Sequence, residues 1–110
     1  MSFLALASQK SLLSLQKNFI QFQMTSIMNQ INYAAAQMTA IQREYSSQDD
    51  QNYTEDADYI YYEDLDQQLN TEKDLLETQN TALENEINSL NQIVKTNIKS
   101  SCTLNLASGG

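Results

Sequence analysis

The residues that could do chemistry in this chain are carboxylates, tyrosines and a single thiol. Between Asp49 and Glu77 stand eleven acidic residues and one base, Lys73. The run Asp56-Ala-Asp-Tyr-Ile-Tyr-Tyr-Glu-Asp-Leu-Asp66 is dense enough in carboxylates to suggest a calcium site. A calcium loop needs oxygens converging on one point, usually with a glycine to turn the backbone. This run has no glycine and reads as helix, so its carboxylates radiate outward from a solvated face. Tyr53, Tyr59, Tyr61 and Tyr62 cluster beside these acids. They suit either a recognition surface, where the ring buries area while the hydroxyl stays wet, or packing of a turn back onto Tyr45 and Ile41.

Cys102 is the only cysteine, which excludes an internal disulfide. Lys95 and Lys99 lie near it in sequence, but there is no histidine anywhere to activate a thiol. It reads as a free thiol near a frayed terminus, with a cross-link between chains as the alternative. No Gly-rich phosphate loop and no nucleophile with an evident base occur. A narrow helical hairpin also offers no cleft in which carboxylate pairs could be dried and tuned. The reading is of a protein that is not an enzyme, with no catalytic residue, no cofactor and no metal.

The elements that carry these residues follow from what the 110 residues lack. Proline is absent, and glycine occurs only as Gly109 and Gly110. Without breakers, long helices are permitted nearly everywhere, and the usual hairpin-turn and β-branched strand signals are missing. Leu13, Ile20, Ile27, Ala34 and Ile41 recur every seven residues, with Met24, Ile31, Met38 and Tyr45 interleaved four residues on. In the second half Tyr62, Leu69, Leu76, Leu83 and Leu90 repeat the pattern. Taken in reverse order, Leu13 with Leu90 through Ile41 with Tyr62, the paired numbers always add to 103. That symmetry predicts an all-α, coiled-coil-like, long antiparallel two-helix hairpin forming a single domain over 1–110. Helix one spans about 3–46, an acidic polar turn 47–56, helix two 57–101 and a frayed tail 102–110. Thr54 is a candidate N-cap for helix two, and Lys95 and Lys99 suit its C-terminal end. The predicted hairpin core is Leu13, Ile20, Ile27, Ile31, Ile41, Leu69, Leu76, Leu83 and Leu90.

Helix one carries more apolar side chains than one partner can cover. Phe3, Leu4, Leu6, Leu12, Leu15, Phe19 and Phe22 lie off the main stripe, and Lys10 and Lys17 are the only charges through residue 42. An exposed helix of that length normally carries many charges, so Phe3, Leu6, Leu15, Phe19 and Phe22 form a proposed assembly face. A two-helix hairpin also buries little by itself, so self-association should complete the fold. The charges divide as well. Asp49, Asp50, Glu55 and Asp56 mark the turn, and Lys10, Lys17, Lys95 and Lys99 mark the opposite end, which suggests axial contacts between copies. Solubility of the turn explains the acids equally well.

Other classes fit less well. Leu69, Leu76, Leu83 and Leu90, with Asn80 offset, imitate a DNA-binding zipper, but the segment upstream is acidic and the net charge is −8. Nucleic acid is therefore excluded as a partner. A membrane surface is disfavoured because Lys10 and Lys17 are too few to attract anionic lipid. No apolar run reaches the 18 residues of a spanning helix. The opening MSFLALASQKSLLSLQ lacks a basic n-region, which points to the cytoplasm or to export without a cleaved signal.

The general plan resembles small signal-less helical hairpins that assemble outside bacteria: secretion-needle subunits, the terminal helices of flagellar axial proteins, and the WxG-type secreted hairpins. The likeness covers the whole chain as architecture only. The Trp-x-Gly turn is absent, SSQDDQNYTE lacks the prolines common in needle-subunit turns, and the chain is long for either group, so no residue is carried over. The expected function is that of a structural, self-associating subunit with a homo-oligomer as partner. The runner-up is an adaptor or chaperone-like module binding another helical protein through the apolar face of helix one.

Overall fold

The computed structural model describes the backbone of residues 2–107 and the side chains of residues 2–99. The chain is all-α: two long helices, α1 (Phe3–Ser47) and α2 (Ala57–Ala107), pack against each other as a hairpin, joined through a 3₁₀ turn at Asn52–Glu55. It divides into two compact units, one formed by Met1–Gln21 with Thr78–Gly110 and the other by Phe22–Glu77.

Each helix starts on a side-chain cap. The Ser2 hydroxyl accepts the Ala5 amide at 3.1 Å, answering one of the orphan donors of the first turn of α1. At α2 the cap is Asp56, not Thr54. Its Oδ1 accepts the amides of Asp58 at 2.9 Å and Tyr59 at 3.0 Å. Thr54 lies inside the 3₁₀ turn, too early to reach those donors.

The end of α1 is fastened by backbone bonds. The Asp50 amide reaches back to the Tyr45 carbonyl at 3.0 Å and the Asp49 amide to Ser46 at 3.1 Å, the pattern of a Schellman cap. That geometry needs a left-handed residue after the helix. With no internal glycine to serve, Asp49 takes the position at φ 53°.

Over residues 102–107, expected as part of a frayed tail, α2 continues to Ala107. No proline or glycine intervenes before Gly109, so nothing in the backbone stops the helix at Ser101. Lys95 and Lys99 accordingly do not occupy the last turn of α2. The side chain of Cys102 and the tail from residue 108 lie outside the described residues.

Burial follows the heptad stripes. Ile27, Ala34, Leu69, Leu76 and Leu90 are buried, while Leu13, Ile20, Ile31, Ile41 and Leu83 are half-buried. Two further residues belong to the core. Tyr59, seven residues before Asp66, is buried. Leu6, placed above on the free assembly face, is 1% exposed and, among the described residues, the most completely buried large side chain. The physical reason is simple: Leu6 precedes Leu13 by seven residues and so extends the buried stripe by one heptad.

The pairing register also differs from a sum of 103. In the unit holding the turn, Gln42 donates to the Tyr59 hydroxyl at 3.4 Å and the Tyr45 hydroxyl donates to Asp56 at 2.8 Å. In the other unit Lys17 meets Glu84 at 3.1 Å. Each of these pairs adds to 101. Side chains lean toward the N terminus of their own helix, and in a hairpin those leanings oppose, so tip contacts overstate the backbone sum. The backbones are therefore displaced by at least two residues, roughly 3 Å of rise, from the symmetric pairing. Antiparallel helices place one apolar series level with the offset series of the partner, and that alternation produces the shift.

Candidate interaction surface

The feature with functional potential is the side of α1 turned away from its buried seam. At about 100° per residue, a position two residues from a seam residue sits roughly 160° around the helix. Leu4, Leu15 and Phe22 hold that relation to Leu6, Leu13 and Ile20. They are exposed by 76%, 66% and 71%. Leu12 and Phe19 flank them and are also exposed, as is Phe3 at the start of the helix. Of the five residues assigned to an assembly face from sequence, the structure leaves Phe3, Leu15, Phe19 and Phe22 open and removes Leu6 to the core. Leu4 and Leu12, placed off the main stripe by sequence but not assigned to the face, join it through the same two-residue and one-residue offsets from the heptad series.

The face carries no charge. Lys10 and Lys17 fall on the seam side of α1, and Lys17 is held by Glu84. Both of those groups retain solvent access, so the pair contributes at most about 1 kcal/mol. With roughly 150–200 Å² for each large side chain, Leu4, Leu12, Leu15, Phe19 and Phe22 leave on the order of 600 Å² of apolar surface open. That is the upper end of the roughly 300–600 Å² that the largest patch of a typical monomer reaches.

Charge divides sharply between the two units. Met1–Gln21 with Thr78–Gly110 holds Lys10, Lys17, Lys95 and Lys99 against Glu84 and Glu86, a net +2. Phe22–Glu77 holds twelve acids against Arg43 and Lys73, a net −10. The residues proposed for axial contacts are not equally available. Asp56 is engaged by the α2 amides and by Tyr45, and Asp50 Oδ1 accepts the Asn52 amide at 3.0 Å. Asp49, Glu55, Lys10 and Lys95 are exposed.

The Tyr45 hydrogen bond, followed by the amides of Tyr59 and Asp58, holds the Asp56 carboxyl below the ordinary carboxylate range. The same bond pushes the Tyr45 phenol upward, with a smaller push from burial and from the charges of Asp56, Asp50 and Glu44. Tyrosines then line the turn: Tyr53 meets Tyr59 edge-to-face at 5.1 Å, and Tyr33 and Tyr61 each meet Tyr62 in the same manner. Tyr53 and Tyr59 thus pack the turn, whereas Tyr61 remains exposed.

A polar recess of about 410 Å³ near the turn is lined by Gln42, Ser46, Asp49, Asp50, Gln51 and Tyr53. Among the described residues no three His, Cys, Asp or Glu side chains are grouped so as to hold a metal ion. Among the described residues, too, no helix is long and apolar enough to cross a membrane. Comparison with protein-family models, with curated proteins and with solved structures finds no match to this chain.

Proposed function

We propose that the protein is a non-enzymatic structural subunit, a coiled-coil hairpin that self-associates through the outer face of α1 into an oligomer or filament. The observation that carries this reading is the uncharged apolar stripe of Leu4, Leu15, Phe19 and Phe22, open to solvent on the side opposite the seam. Burying it at about 25 cal/mol per Å² outweighs most other surface interactions available to the chain. A second, charge-based contact joins Asp49 and Glu55 of one copy to Lys10 and Lys95 of another, since the two units carry opposite net charge.

Sedimentation velocity over a hundredfold concentration range, at low and high salt, tests the proposal. Species that grow with concentration are expected, and salt should shrink them where the charged contact takes part. Replacing Phe19 and Phe22 by Ser should leave helicity nearly intact and reduce assembly. A monomer at every concentration overturns self-association and moves the reading to an adaptor that offers the same face to another helical protein.

A further inference from the structure

The acidic unit Phe22–Glu77 presents an aromatic surface that the fold does not use up. Tyr62 is half-buried and forms its base; Tyr33 and Tyr61 meet it edge-to-face, with ring centroids 6.1 and 5.2 Å away. Tyr33 and Tyr61 nevertheless stay 57% and 62% exposed, unlike Tyr59, which is buried in the core. Rings held in this way are pre-organised, so a partner that covers them loses little of its binding to the ordering of side chains. Carboxylates surround the group. Asp58 and Asp64 stand one turn to either side of Tyr61, and Asp58 and Asp66 one turn to either side of Tyr62. A hydrogen bond with Tyr33, then burial, then the charges of Tyr33, Asp58 and Tyr61 push the Tyr62 phenol upward, which sets Asp58 beside the rings. Over residues 22–42 α1 has no charge, and the whole unit holds twelve acids against two bases.

We propose that Tyr33, Tyr61 and Tyr62, with Asp58 and Asp64, form a docking site for an arginine-bearing segment of another protein. An exposed ring face attracts a cation, arginine most often, because the guanidinium is planar, stacks on the ring and is less strongly hydrated than an ammonium. The neighbouring carboxylates accept its N–H donors, and the net charge of −10 raises the local concentration of a basic segment. The same field repels nucleic acid and anionic lipid. A second copy of this chain is a poor occupant: its one arginine, Arg43, lies in the same unit of net −10, which the site repels. The site is separate from the apolar face of α1 and does not depend on self-association.

Fluorescence anisotropy of dye-labelled octa-arginine and octa-lysine, each titrated with the full chain, tests the site. The chain should hold octa-arginine several-fold tighter than octa-lysine, and added salt should weaken both. Tyr33→Leu with Tyr61→Leu keeps every charge and an apolar side chain while removing the two ring faces. Circular dichroism first checks that this variant keeps its helicity. It should lose about tenfold in affinity for octa-arginine, at roughly two- to fivefold per ring, and much less for octa-lysine. A second pair of variants needs no aromatic change. Asp58→Asn with Asp64→Asn should weaken octa-arginine more than Glu72→Gln with Glu77→Gln, an equal change of charge on exposed residues farther along α2. Equal affinity for the two peptides, equal weakening by the two charge variants, or no binding of octa-arginine overturns the proposal. Sedimentation of Tyr33→Leu with Tyr61→Leu keeps the two readings apart, since self-association through the α1 face should be unchanged in it.

Discussion

Leu6→Ala and Leu4→Ala differ by two residues along one helix and should differ several-fold in consequence. Leu6 is 1% exposed, so truncation removes three fully buried carbons, about 2.4 kcal/mol at roughly 0.8 kcal/mol each. Any cavity left behind adds to this, although the site lies one turn from the start of α1, where the structure can collapse around it. An expected loss of about 2–3 kcal/mol follows. Leu4 is 76% exposed, so the same three carbons lose only a quarter of that value, about 0.6 kcal/mol, partly offset by the better helix propensity of alanine. The assay is urea unfolding followed by circular dichroism, at a concentration where sedimentation reports monomer. With slopes of about 1–3 kcal/mol per molar urea, Leu6→Ala moves the midpoint by about 1 M or more and Leu4→Ala by a fraction of that. In concentrated samples the order reverses for assembly, because Leu4 lies on the face and Leu6 does not. Equal midpoint shifts for the two variants, or a larger one for Leu4→Ala, would show that the placement of Leu6 in the core is wrong.

Three other perturbations probe the seam and the turn. The half-buried Asn80 has a buried Oδ1 with no hydrogen-bond partner, so Asn80→Leu should stabilise the hairpin by about 1–2 kcal/mol; a lower urea midpoint would contradict that accounting. Asp49 holds a left-handed conformation and places a carboxylate at the negative end of α1, so Asp49→Gly should raise stability by about 1 kcal/mol, and a loss on calorimetry would refute the strain argument. Tyr45→Phe addresses pH. The folded-state pKa of Asp56 is depressed, so its contribution is present above the unfolded value and is lost as pH falls through the carboxylate range. The stability gap between wild type and Tyr45→Phe should be full at neutral pH and close on acidification, and a gap constant with pH would exclude the Tyr45–Asp56 bond as its source.

Much of the architecture is legible in the chain because helix formation and its interruption are local. The absence of proline and of internal glycine leaves α1 and α2 unbroken, and the polar run from Ser46 to Glu55 is the one place where a turn fits. Seven-residue spacing identified Ile27, Ala34, Leu69, Leu76 and Leu90, since a helical period places them on one face whatever the partner. The same arithmetic, extended one heptad back, reaches Leu6. The crowd of apolar neighbours in the first turns hid it, because Phe3, Leu4 and Leu6 look alike by composition and differ only in phase. The candidate surface was legible in outline for the same reason: its residues are those the period leaves over.

Composition and periodicity thus determined that this chain is helical, that it folds back once, and that α1 has more apolar surface than α2 can cover. The tertiary structure alone decided the rest. Which carboxylate caps α2 depended on the 3₁₀ turn that brings Asp56, rather than Thr54, under the free amides. Which residues face each other depended on how two opposed sets of leaning side chains interlock, which lowered the pairing sum from 103 to no more than 101. A period specifies a face, but register is a property of two surfaces in contact, and neither helix encodes it without the other.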